Sequence, residues 1–188
     1  EKVELAITAA VKSNFRYELA EGYFTLADFN AEMREYNSAV MHASRALSIY
    51  ESYEDWGKVY ESYSLMGQGY KALGDFENGL TYYRKAYVIA QKGGETRAYL
   101  KARYAYADIK LIQNKTEEAE AIFQEIRSDA EAQNLTDLVA EIDYKLGEVY
   151  DQKGEIYQAN DFYNLAQENN ITTLKQLMDL EPDRIISN

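Results

Sequence analysis

An all-α fold is what this sequence predicts: a solenoid of stacked antiparallel helix pairs ending in a C-terminal capping helix. Three observations carry that expectation. Residue types recur at a fixed spacing of 40, apolar residues within each repeat keep helical spacing, and turn-forming residues fall where one helix must give way to the next. The recurrence is plain when GQGYKALGDFENGLTYYRKAY (67–87) is set against GEVYDQKGEIYQANDFYNLAQ (147–167), where Gly67, Tyr70, Gly74, Tyr83 and Ala86 return as Gly147, Tyr150, Gly154, Tyr163 and Ala166.

The offset of 80 between those stretches resolves into two steps of 40. One column of small residues reads Ala27, Gly67, Ala107, Gly147; a second reads Ala39, Gly79, Ala119, Ala159; a third reads Ala46, Ala86, Ile126, Ala166. Between the second and third lies an aromatic column, Tyr83, Phe123 and Tyr163, to which Ala43 is the exception. Such a period is the mark of a repeat array, in which no unit buries its apolar face alone.

Inside a repeat, Tyr60, Tyr63, Leu65, Met66, Gly67, Tyr70 and Leu73 hold mostly to spacings of three and four, one face of a helix over 57–73. Gly74-Asp75 ends it, glycine supplying a left-handed C-terminal residue and Asp75 an N-cap for a second helix over 76–91, which stops near Lys92-Gly93-Gly94. Equivalent breaks stand at Met33-Arg34-Glu35, Asn114-Lys115-Thr116 and Gly154-Glu155. The small columns have a physical reason. Helix axes about 8–10 Å apart need small side chains where their ridges cross, and aromatics fill the grooves alongside.

The frame small–x–x–Tyr–x–x–x–Gly, followed by a small residue, an aromatic and an alanine, resembles the tetratricopeptide repeat over residues 19–170. The resemblance implies a right-handed superhelix, with repeats at 19–58, 59–98, 99–138 and 139–170. Residues 1–18 would be the end of a truncated earlier repeat with a linker, because Ala6 stands 40 before Ala46. Residues 171–188 would be the capping helix and tail, since Pro182 falls mid-helix in the repeat register. The family's unit is about 34 residues, so a 40-residue unit implies longer helices. The chain opens on Glu1 rather than Met, which points to a processed chain or a piece of a longer one, with further domains flanking it.

Composition narrows the function. The net charge is −12, from 20 Lys and Arg against 32 Asp and Glu, with no basic cluster, which argues against a nucleic-acid surface within these residues. With no cysteine there is no disulfide, thiolate metal site or thiol nucleophile. No apolar run approaches the roughly 20 residues that cross a bilayer, and no secretory pattern is present. A cytoplasmic location is expected, with the periplasm left open.

No catalytic constellation emerges. His42, the single histidine, has only Ser38 and Ser44 nearby and reads as structural; Gly93-Gly94 is a repeat junction without a preceding strand or P-loop lysine. Glu117, Glu118 and Glu120 read as a solvated helix start favoured by the helix dipole, and Trp56 as packing or a ligand platform. No cofactor and no metal are expected, and the chain is read as a non-enzyme. The 18 tyrosines carry more, because a buried phenol needs a partner and some rings should therefore face a groove.

By the resemblance, the first helix of each pair lines a concave surface. Its inward residues would be Glu21, Phe24, Asp28, Glu61, Ser64, Gln68, Lys71, Lys101, Tyr104, Asp108, Leu111, Glu141, Tyr144, Glu148 and Asp151. Seven of these 15 are acidic and two basic, so the expected partner is a protein or peptide with a basic or amide-rich segment, anchored on Phe24, Tyr104 and Tyr144. Carboxylate-clamp recognition of chaperone C-termini is not expected, because those places hold Phe24, Asp28, Leu65, Lys101 and Ala105, of which Lys101 alone fits. The expected function is thus a peptide-binding scaffold of a bacterial regulatory or signalling protein. AEGYFTLADF and ASRALSIYESY resemble, more narrowly, the peptide-pheromone sensors of the Rap type. The alternative is an intramolecular sensory or spacer domain of a histidine kinase or diguanylate cyclase.

Overall fold

The computed structural model describes Val3, Leu5 and residues 15–180, the last ten as backbone alone. Eight helices follow one another in the described residues: α1 Arg16–Glu32, α2 Tyr36–Ser52, α3 Trp56–Ala72, α4 Phe76–Gly93, α5 Thr96–Ile112, α6 Thr116–Ala132, α7 Thr136–Lys153 and α8 Ile156–Leu180. Helix starts are thus spaced by 20, and the 40-residue period is two equal half-steps.

The connections explain that regularity. Positive φ occurs at Arg34, Glu54, Gly74, Gly94, Asn114, Asn134 and Gly154, again every 20 residues. At each of these the left-handed residue donates its N–H three residues back and the next residue donates five back, as in Gly74→Lys71 and Asp75→Tyr70. This doubly bonded helix end satisfies the last carbonyls and reverses the chain within three residues, which makes successive packed helices antiparallel. Asp55 and Asp75 then cap α3 and α4 by accepting from the N–H of Lys58 (3.1 Å) and Asn78 (3.2 Å).

The chain forms two compact units, the first ending at Ile109 and the second starting at Lys110. In the first, α1 packs on α2, α2 on α3 and α3 on α4, with a lighter contact from α1 to α3. Its core joins Ala20, Ala27, Ala43, Ala46, Leu47, Tyr50, Val59 and Met66. A further cluster of Leu80, Tyr83 and Ile109 seats α5 on α4. In the second, α6 packs on α7 and α7 on α8. All three small columns are buried, and both glycines of the first column face a tyrosine ring. A Cβ at Gly67 would stand 2.9 Å from the Tyr83 ring, and one at Gly147 would stand 2.4 Å from the Tyr163 ring. The other two positions of that column carry alanine, Ala27 where Ala43 replaces the ring and Ala107 where the ring is Phe123.

Two boundaries differ from the sequence expectation. Helix pairs start at 16, 56, 96 and 136, so divisions at 19, 59, 99 and 139 cut one turn into α1, α3, α5 and α7, and Arg16–Glu18 belong to α1 rather than a linker. The expected capping helix is not a separate element: residues 171–180 prolong α8, because nothing in ENNITTLKQL breaks a helix before Pro182. The proposed earlier repeat around Ala6 and the tail 181–188 lie outside the described residues.

Candidate functional site

Phe24 and Asp28 on α1, Glu61, Ser64 and Gln68 on α3, and Lys101 on α5 converge on one cavity of about 270 Å³, completed by Tyr60, Leu65, Tyr83 and Ala102. Six of the expected inward residues are thus brought together, all on first helices of their pairs. The sequence reading missed Tyr60, Leu65, Tyr83 and Ala102. Tyr83 was legible as core packing against Gly67, and its ring edge reaching a cavity depends on the absent Cβ at that glycine. Burial pushes the Tyr60 and Tyr83 phenols up from their ordinary range, so both remain neutral donors at physiological pH.

Each anchor is held from behind. The Phe24 ring meets Tyr50 edge-on at 6.4 Å, and the Lys58 ammonium lies 5.3 Å from the Phe24 centroid. Lys58 also bonds Glu61 at 2.8 Å. Tyr17 donates to Asp55 at 2.6 Å, tying α1 to the turn that starts α3; this bond pushes the Tyr17 phenol up to about 12 and holds the Asp55 carboxyl below its usual range.

The other expected residues stand elsewhere. Glu21 is exposed on α1 outside the cavity lining, and Tyr104 is half-buried on α5. Lys71 is spent in an ion pair with Asp108. Asp108 and Leu111 are only 5% and 3% exposed, which removes both from any accessible surface: the helix presents them to its packing side. In the second unit Glu141 and Tyr144 are exposed, the Tyr144 ring lying 5.3 Å from that of Tyr163. Glu148 bonds Lys145 (2.7 Å) and Asp151 accepts from the Tyr163 hydroxyl (2.7 Å).

The remaining candidates resolve as follows. His42 Nδ1 faces Asn30 Oδ1 at 3.0 Å, and Asn30 in turn donates to Glu35 (2.7 Å), which orients its amide and makes Nδ1 the donor. With its ring stacked on Tyr23 and its pKa lowered by burial and then by Arg45, it is a packed neutral histidine. Glu120 departs from the solvated role expected of it: it accepts from Tyr150 (2.8 Å), Lys153 (2.9 Å) and Gln124 (3.1 Å), pinning α6 to α7. Trp56, half exposed, lines a second cavity of about 250 Å³ with Ile89, Lys92 and Gly93. No group of His, Asp or Glu among the described residues is placed to hold a metal, and no helix among them is long and apolar enough to cross a membrane.

A family model described as "Tetratricopeptide repeat" matches residues 58–132. Two curated relatives are each 25% identical: Tetratricopeptide repeat protein 29 of Trypanosoma brucei brucei over 157 residues, and Regulatory protein RapF of Bacillus subtilis over 170. The matches take in 79% and 81% of this chain but only 30% and 44% of the relatives, so the chain spans less than half their length. Among solved structures, aspartyl phosphate phosphatase F from Bacillus subtilis superposes with a TM-score of 0.78 at 19% identity, over 84% of this chain and 42% of that one. A Rap protein complexed with competence and sporulation factor gives 0.66 at 20%, over 90% and 43%. These likenesses show the fold, a solenoid of antiparallel helix pairs.

Proposed function

We propose that this chain, whose residues 58–132 are tetratricopeptide repeats, is a non-catalytic scaffold that binds an extended peptide or protein segment across its first helices, within a bacterial regulatory or signalling protein of the cytoplasm. The observation that carries the reading is the cavity itself, where α1, α3 and α5, with Tyr83 of α4 behind them, contribute aromatic walls (Phe24, Tyr60, Tyr83), two carboxylates (Asp28, Glu61) and an exposed amide (Gln68). Aromatic walls take an anchoring side chain, the amide and phenols take backbone groups, and the carboxylates favour a basic or amide-rich sequence. A Rap protein solved with competence and sporulation factor has the same fold, which favours a peptide in the Rap manner over a folded partner. The intramolecular sensory or spacer reading draws on a different fact, that the chain spans less than half of its relatives.

Selection of a displayed random heptapeptide library tests the proposal. Wild type should enrich basic and amide-rich sequences, and Gln68→Trp, which fills the cavity mouth without touching the core, should lose them while melting at the same temperature. Enrichment of acidic sequences, or equal enrichment by both proteins, would overturn it.

A further inference from the structure

The acidic edge of the cavity is already engaged by a cation of the chain's own. Lys58 leaves α3 one turn before Glu61, bonds its carboxylate at 2.8 Å, and sets its ammonium over the Phe24 ring at 5.3 Å. Asp55 and Glu21 act on the same ammonium from the capping turn and from α1, and the three carboxylates together raise the Lys58 pKa, the Glu61 bond contributing most. Beneath them Tyr50 is fully buried, and its hydroxyl has no hydrogen-bond partner. Burial pushes the Tyr50 phenol up and the charges of Glu21, Glu61 and Asp55 act in the same direction, so an unused donor lies near the three carboxylates. An unmade bond at a buried hydroxyl is a cost that folding alone does not explain.

The carboxylates are not grouped closely enough for a metal ion. A ring face with spaced carboxylates around it suits an organic cation instead, an ammonium or guanidinium on an aliphatic stem. Phe24 and Glu61 also line the 270 Å³ cavity, so the cation position opens directly onto the space assigned above to the peptide.

We propose that Glu21, Asp55, Glu61 and Phe24 form a subsite for a lysine or arginine side chain of the bound peptide, and that Lys58 fills it as an internal stand-in when the chain is free. The proposal rests on the peptide-binding reading and specifies one position of it. Lys58 is about one-third exposed and Glu61 more so, and an ion pair so placed is weak, so an incoming side chain displaces it at small cost. Lys58 thereby acts as a threshold: a neutral residue does not move it, and a basic one replaces it.

The test uses the 188-residue chain, isotope-labelled, with Nα-acetyl-arginine methylamide, Nα-acetyl-lysine methylamide and the neutral Nα-acetyl-norleucine methylamide as probes. Wild type should show shifts at Phe24, Glu61 and the Lys58 ammonium with the two basic probes and none there with the neutral one. Lys58→Met keeps the stem over Phe24 and removes the charge, and should bind the basic probes about fivefold tighter, with no change for norleucine. Phe24→Leu should abolish the preference for basic probes in either background. Unchanged or weaker binding by Lys58→Met, or shifts of equal size with norleucine, would overturn the subsite. A peptide selected from the library that binds the cavity identically with its arginine replaced by citrulline would overturn the subsite while leaving the scaffold reading intact.

Discussion

Gly147→Ala should destabilise the protein, and the same change should stabilise it once Tyr163 is gone. The added Cβ would lie 2.4 Å from Tyr163 Cε1, 2.5 Å from Cδ1 and 2.8 Å from Cζ, against ordinary carbon contacts of about 3.5–4 Å, so the ring must retreat by about 1 Å. Overpacking of this kind costs about 1–3 kcal/mol. Alanine recovers about 1 kcal/mol of helix propensity over glycine. The retreating ring also strains the 2.7 Å bond from the Tyr163 hydroxyl to Asp151, which puts the net loss near 1 kcal/mol or somewhat above. In a Tyr163→Ala background the clash is absent and the propensity term alone remains, a gain of about 1 kcal/mol. Urea unfolding of the four proteins in the double-mutant cycle reads both signs directly. A stabilising Gly147→Ala in the wild-type background would refute the argument that the ring, rather than the backbone, keeps glycine in that column.

Other consequences follow from single contacts. Asp143 is fully buried, bonded to Arg127 at 2.5 Å and to Asn169 at 3.0 Å, so Arg127→Met strands the buried carboxylate and should cost about 3–5 kcal/mol, whereas a combined Arg127→Met/Asp143→Leu should recover most of it in thermal melts. Glu54 holds a φ of 55° where its counterparts Gly74, Gly94 and Gly154 are glycines, so Glu54→Gly should raise stability by about 0.5–1 kcal/mol and Gly94→Glu should lower it. The Tyr17 phenol has a folded pKa of about 12, above its unfolded value near 10, so its contribution is complete below pH 10 and fades between pH 10 and 12; Tyr17→Phe should flatten that part of the pH–stability curve. The Asp55 carboxyl is depressed in the fold, so its contribution holds above its unfolded pKa near 3.9 and is lost as pH falls through the folded value, and Tyr17→Phe should also reduce the sensitivity to acid.

How much of this was legible in the sequence depends on what signal each feature leaves. Gly74, Gly94 and Gly154 announced their turns, since glycine is the residue that a positive φ selects, and Asp75 announced its cap. The turns at Glu54 and Asn134 carry no glycine and leave only their register as a signal, 40 residues either side of Gly94, just as Arg34 and Asn114 stand 40 either side of Gly74. The column Gly67/Gly147 against Tyr83/Tyr163 was legible as size complementarity, and geometry adds only how close the ring comes. Phe24, Asp28, Glu61, Ser64, Gln68 and Lys101 were legible as a face, because first-helix positions 40 apart share one side of a solenoid. Asp108 and Leu111 were misplaced by the same rule, since helical register gives direction but not whether a neighbour covers the position. The engagement of Glu61 by Lys58 was not readable, because an i,i+3 pair on paper looks like any exposed ion pair until Phe24 arrives from another helix.

The most direct measurement is amide chemical-shift mapping of the full chain with a basic heptapeptide recovered from the library and with its scrambled acidic counterpart. The account predicts that the basic peptide shifts Phe24, Tyr60, Ser64, Gln68 and Lys101 together and saturably, while the acidic one shifts none of them. Saturable shifts confined to other faces, with these five unmoved, would contradict it.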